Sequence, residues 1–182
     1  MRPLLLTLTL LATAAGTAGA QREAQHQGFW IGFGLGGGSN LTEGYDDARL
    51  GGAGYLRLGG TVNQTLLIGG EAIAWVRERD NTAVTQGNLT ASVLFYPARR
   101  GLYLKTGLGF ASWSQAFSSG PTTITTTEGG FGATFGGGYD FQLGRNLFLT
   151  PNLDVLIQVV NSDTFQNTSA YLILFTLGLT WH

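Results

Sequence analysis

YLILFTLGLTWH, Tyr171 to His182, is the stretch that decides the fold. Its odd positions are Tyr171, Ile173, Phe175, Leu177, Leu179 and Trp181, all large and apolar. Its even positions run Leu172, Leu174, Thr176, Gly178, Thr180 and His182, turning small or polar towards the end. Side chains on a strand alternate faces with a period of two. The segment therefore reads as a strand with one wholly apolar face and one mixed face.

The same period recurs upstream. Phe29, Ile31, Phe33 and Leu35 alternate with Trp30, Gly32, Gly34 and Gly36, predicting a strand over 28–38. Further strands are expected over 50–60, 65–77, 85–96, 102–113, 128–142 and 147–160. With the last stretch this makes eight strands of about ten residues or more, the length a tilted strand needs to cross a bilayer. Short turns are expected at 61–64, 97–101 and 143–146. Polar loops are expected at 39–49, after Arg77, at 114–127 and at 161–169, with the Ser/Thr-rich 114–127 the longest. Short and long connections thus alternate, as in an up-and-down meander.

Composition narrows the surroundings. Charged residues make up 12% of the 182-residue chain, about half the ~25% of soluble domains. Gly occurs 29 times, more than twice the ~7% background. The formal net charge of -1 leaves no nucleic-acid footprint. With no Cys, disulfides and Cys-ligated metal or cluster sites are excluded. Met1-Arg2, the apolar run Leu4 to Ala15 and Ala18-Gly19-Ala20 make residues 1–20 a signal peptide, with export and a mature start at Gln21. Residues 21–27, QREAQHQ, form a polar lead-in.

Two architectures use eight alternating antiparallel strands: a soluble calyx of lipocalin type, which carries apolar ligands, and a small membrane barrel. The polar faces decide between them. The first strand has no charge on either face, and the sixth has only Glu128 and Asp140. Gly gathers on those same faces, where a narrow interior has little room for side chains. Phe29, Phe95, Phe141 and Trp181 fall near the short-turn end, and Phe110, Phe131 and Tyr171 nearer the loop end. That spacing matches two interfacial aromatic girdles. The expected fold class is all-β, an eight-stranded antiparallel up-and-down transmembrane β-barrel over 28–182.

The segments GFWIGFGLGGGSN (28–40), YPARRGLYLKTGLGF (96–110), GGFGATFGGGYDFQLGRNLFLTPNLDV (129–155) and the final strand resemble the small outer-membrane β-barrel family of Gram-negative envelopes, the OmpX- and OmpW-like group. The resemblance implies termini and short turns in the periplasm and longer loops outside the cell. It also implies lipid and lipopolysaccharide as surroundings, the barrel-assembly machinery as a partner during insertion, and a monomer. Members of that group usually end on an aromatic residue; here Trp181 is in phase with the lipid face, but His182 follows it.

Inward-facing charges are Arg57, Glu71, Lys105 and Asp154, with Arg77 and Asp140 nearer the ends. The first four sum to zero, so a polar cluster with Arg57 or Lys105 paired to Glu71 or Asp154 is expected. It either fills the interior or lines a narrow path for small solutes, and filling fits so narrow a barrel better. GFGLGG (32–37) matches a dinucleotide fingerprint in letters only, since it lies within a strand and opens no helix. The two histidines, His26 and His182, both fall at the end opposite the long loops. A His-dependent hydrolase site at the loop rim is therefore not expected. Acidic Glu43, Asp46 and Asp47 read as a solvated loop rather than a cation site, and the sequons at Asn40, Asn63, Asn88 and Asn167 as chance matches. No cofactor or metal is expected. The functional reading is a non-enzymatic envelope barrel with a structural or surface-interaction role, or slow passage of small solutes.

Overall fold

The computed structural model describes residues 28–41, 49–98, 101–119, 122–160 and 168–182. The expected signal peptide (1–20), the lead-in (21–27), His26, the acidic Glu43, Asp46 and Asp47, and Asn167 lie outside the described residues.

Alternation of large apolar with small or polar residues produces nine strands. They are β1 (Phe29–Asn40), β2 (Arg49–Asn63), β3 (Leu66–Arg79), β4 (Thr82–Phe95), β5 (Leu102–Ser119), β6 (Thr122–Tyr139), β7 (Phe141–Gln142), β8 (Leu147–Val160) and β9 (Thr168–Trp181). Apart from β6 and β7, consecutive strands pair antiparallel with each other. β6 and β7 both pair with β8 and are successive pieces of one stave, interrupted at Asp140. The ring is therefore one of eight staves. β9 closes it on β1, from Ile31↔Trp181 to Asn40↔Leu172. Closure leaves no open edge within the belt, which hydrocarbon would not tolerate.

The barrel is apolar outside. Leu35, Leu56, Leu108, Phe110, Phe131, Phe135, Leu153, Phe175 and Leu177 are all exposed, Leu35 at 78% and Phe110 at 75%. At alternate positions Tyr55, Arg57, Lys105, Thr134, Asp154 and Thr176 are buried. Phe29, Phe95, Phe141 and Trp181 at one end, and Phe110, Phe131 and Tyr171 towards the other, all point outward.

Tight interior packing rests on missing side chains at particular places. A Cβ on Gly34 would lie 2.5 Å from the Tyr55 ring and 2.9 Å from the Gly178 backbone, so the pair Gly34–Gly178 is the slot that receives that ring. Gly136 likewise leaves room for the Asp154 carboxylate lying against it.

Two expected loops are not loops. Residues 114–119 continue β5 and residues 122–127 continue β6, the two pairing as far as Ser119↔Thr122 and each strand being 18 residues long. The reason is that Thr favours strands, and above the membrane both faces of a strand meet water. Polar character on both faces there does not imply a loop. The connection after β3 is likewise tight: β3 ends at Arg79, β4 begins at Thr82, and Asp80 takes a positive φ of 55°. Asp tolerates that left-handed conformation, and it suits a hairpin turn. GFGLGG lies within β1, as expected. The sequon residues Asn40 and Asn88 are buried.

Candidate functional site in the barrel interior

The interior is layered. At the short-turn end Trp30, Leu67, Leu94, Tyr96 and Tyr103 form one buried cluster. Towards the other end Ala53, Tyr55, Ile73, Trp75, Leu156, Ala170, Leu172 and Leu174 form a second. The charged residues sit between these two layers.

Lys105 on β5 is the centre of the charge cluster. Its Nζ lies 2.5 Å from Glu71 Oε1 on β3 and 2.9 Å from Asp154 Oδ1 on β8. None of the three side chains is more than 1% exposed. One ammonium thus bridges two carboxylates from staves that are not neighbours, across the inside of the barrel.

Arg57 behaves differently. It stands directly across from Glu71 in the β2–β3 register, yet its guanidinium is bonded to neutral groups. Nη1 donates to Tyr103 Oη at 2.8 Å and to Asn152 Oδ1 at 3.3 Å, and Nη2 to Thr180 Oγ1 at 3.3 Å. Its plane lies over the rings of Tyr55 at 4.8 Å and Tyr103 at 5.1 Å. A planar fork with several donors suits such a cage, and the ring faces supply the electrostatic partner. Of the two cations expected to meet a carboxylate, Lys105 is the one that does. Tyr103 also donates to Asn152, whose amide donates to Tyr55 Oη at 3.1 Å and to the Thr150 carbonyl at 2.9 Å.

A third group lies at the short-turn end. Asp140, completely buried, accepts from Tyr96 Oη at 2.7 Å and from Thr150 Oγ1 at 2.6 Å. His182 turns inward: its Nε2 is 3.9 Å from Asp140 Oδ2 and its ring meets Phe148 edge-on at 5.2 Å. Trp181 faces outward, so the last two residues of the chain lie on opposite sides of the wall. Arg77, expected to face inward, is half-exposed near the far rim.

Sequence reasoning found the charges but not the cage. Tyr55, Tyr103, Asn152 and Thr180 are in phase with the inward face, and that phase was the available signal. Their convergence on Arg57 depends on how four staves are staggered around the ring. Glu71 Oε2, Thr90 Oγ1, Asp154 Oδ2 and Thr176 Oγ1 are buried with no hydrogen bond from the described residues. Buried polar atoms of this kind are ordinarily met by single ordered waters.

Such an arrangement can hold staves together and exclude bulk water. Among the described residues no group of three or more His, Asp or Glu is placed to bind a metal ion.

Comparison by sequence finds no protein-family model and no curated protein that matches. Comparison of folds finds small outer-membrane barrels. The chain is similar to Ail, the attachment invasion locus protein of Yersinia pestis, with a TM-score of 0.61 and 13% identity over 85% of this chain and 99% of that one. It is similar to Neisserial surface protein A, with a TM-score of 0.62 and 13% identity over 86% and 98%. The N-terminal β-barrel domain of Pseudomonas aeruginosa OprF matches with a TM-score of 0.53 and 12% identity over 86% and 100%. At these identities the likeness shows the fold.

Proposed function

We propose that this chain is a non-enzymatic outer-membrane β-barrel with a sealed interior, acting in envelope structure and in contacts made at its long-strand end. One observation carries this reading: the charged layer is buried between two apolar layers while the outer wall is apolar and exposed. A solute path would leave its lining wet, whereas Arg57, Glu71 and Asp154 are each 1% exposed. The outer wall would be insoluble in water and is suited to lipid. Fold likeness to outer-membrane proteins supports the same membrane. The reading further proposes termini and short turns in the periplasm, lipopolysaccharide around the far rim and a monomeric barrel. Trp181 and the apolar face of β9 are what the assembly machinery would meet during insertion.

The test combines two readings of one preparation. Folded protein should migrate differently on gels before and after boiling, and fractionate with the outer membrane. In planar bilayers it should show no stepwise conductance. Steps that change when Glu71 or Lys105 is neutralised would replace this reading with a channel. Recovery of folded, water-soluble protein from the periplasm would replace it with a calyx-type carrier.

A further inference from the structure

The seam that closes the barrel finishes on a buried imidazole. β9 pairs with β1 on one side and with β8 on the other, and both ladders reach Trp181. One residue further, the His182 amide donates to the Asn146 carbonyl at 3.0 Å. The His182 side chain is 2% exposed, and its Nε2 lies 3.9 Å from Oδ2 of the fully buried Asp140. His182 as a whole is 6% exposed, so the part of it that meets water is its backbone, with the main-chain carboxyl group.

The interior is short of positive charge. Among the described residues the buried charged side chains are Arg57, Lys105, Glu71, Asp140 and Asp154, two cations against three carboxylates. Lys105 is shared by Glu71 and Asp154. Arg57 reaches Asp140 through two hydroxyls. Its Nη2 donates to Thr180 Oγ1 at 3.3 Å, that hydroxyl lies 2.9 Å from Thr150 Oγ1, and Thr150 donates to Asp140 Oδ1 at 2.6 Å. A buried carboxylate in excess is costly, and a cation beside it removes the excess. The remaining neighbours bring no charge. Tyr96, just after β4, donates to Asp140 Oδ2 at 2.7 Å, and Tyr103 of β5 tilts against Tyr96 at 5.3 Å. From β8, Phe148 meets the imidazole edge-on at 5.2 Å. Arg145, in the turn before β8, is exposed.

We propose that His182 is held as an imidazolium clasp on Asp140, so that the seam is tightened at mildly acidic pH and loosened at mildly alkaline pH. Imidazole is the side chain whose ordinary titration falls between about pH 5 and 8. Carboxylates are ionised and phenols neutral throughout that window. The pair therefore contributes stability below the imidazole's titration, and the contribution is lost as pH rises through it. What loosens is the end of β9, where the last stave meets the first. The clasp belongs to the closed ring and is independent of any contact made at the long-strand end.

The experiment uses the chain from Gln21 to His182 folded in phospholipid vesicles. A His26→Gln background leaves His182 as its single imidazole. Unfolding rates in urea are read by tryptophan fluorescence at about pH 5.5 and about pH 8.5, with the folded fraction checked by heat-modifiable migration. This parent should unfold about tenfold faster at the higher pH. His182→Gln cannot take up a proton and should bring the two rates within about twofold of each other. Asp140→Asn removes the partner and should do the same. A second measurement requires neither variant to fold: ring-nitrogen NMR shifts of labelled His182 in the folded parent should report imidazolium at about pH 6. A neutral ring at that pH would overturn the proposal, as would a pH ratio in the parent that His182→Gln reproduces.

Discussion

Replacing Lys105 with Met removes the ammonium that Glu71 and Asp154 share, while keeping most of the side-chain volume. It abolishes the ion pairs at 2.5 and 2.9 Å, all three side chains being buried. At an effective dielectric of about 20, one such pair has a gross Coulomb energy of about 6 kcal/mol. Most of that is offset by the cost of dehydrating the ions, so the net effect must come from what is left behind. Two carboxylates would remain in the interior with their shared cation gone, and breaking a buried pair in this way costs about 3–5 kcal/mol. Lys105→Met should therefore destabilise the barrel by about 4 kcal/mol in equilibrium urea unfolding from lipid vesicles. Neutralising all three positions together, Lys105→Met with Glu71→Gln and Asp154→Asn, removes the two stranded carboxylate charges along with the ammonium. That combination should recover at least half of the stability. A single variant within about 1 kcal/mol of the parent, or a triple variant as unstable as the single one, would refute the reasoning.

Two further substitutions probe the cage and the wall. Arg57→Lys keeps the charge but not the fork that reaches Tyr103, Asn152 and Thr180, and should cost about 2 kcal/mol in the same unfolding assay. Leu108→Arg places a charge on the exposed apolar wall and should cost about 2–4 kcal/mol, whereas Phe117→Arg, beyond the belt, should change stability by less than about 1 kcal/mol.

What the sequence made legible follows from the period of two. Outward Phe33, Leu108 and Phe175, inward Arg57, Lys105 and Asp154, and the closing pair β1–β9 all follow from alternation and from the need for a ring without edges. The glycines on the polar face told the same story, since Gly34 and Gly178 make the slot for Tyr55. Reading polarity as a loop failed at 114–127, because alternation between an apolar and a polar face marks a strand only where those faces meet different solvents. Partner choice was not legible either. Arg57 and Glu71 are register partners, but Glu71 reaches inward to Lys105, 34 residues away, while aromatic faces and amides hold Arg57. His182 follows the in-phase Trp181, and the structure turns it inward beside Asp140 and Phe148, leaving Trp181 to face outward.

The central claim is that the apolar outer wall stands in lipid. Because the chain has no Cys, single cysteines at Leu104, Leu108 and Phe110 can each carry a spin label without interference, with Ile124 as the position beyond the belt. In vesicles the first three labels should be reached by dissolved oxygen and shielded from a water-soluble relaxing agent, and the label at 124 should show the reverse. A water-soluble agent that reaches the labels at 104 and 108 as readily as the one at 124 would contradict the account.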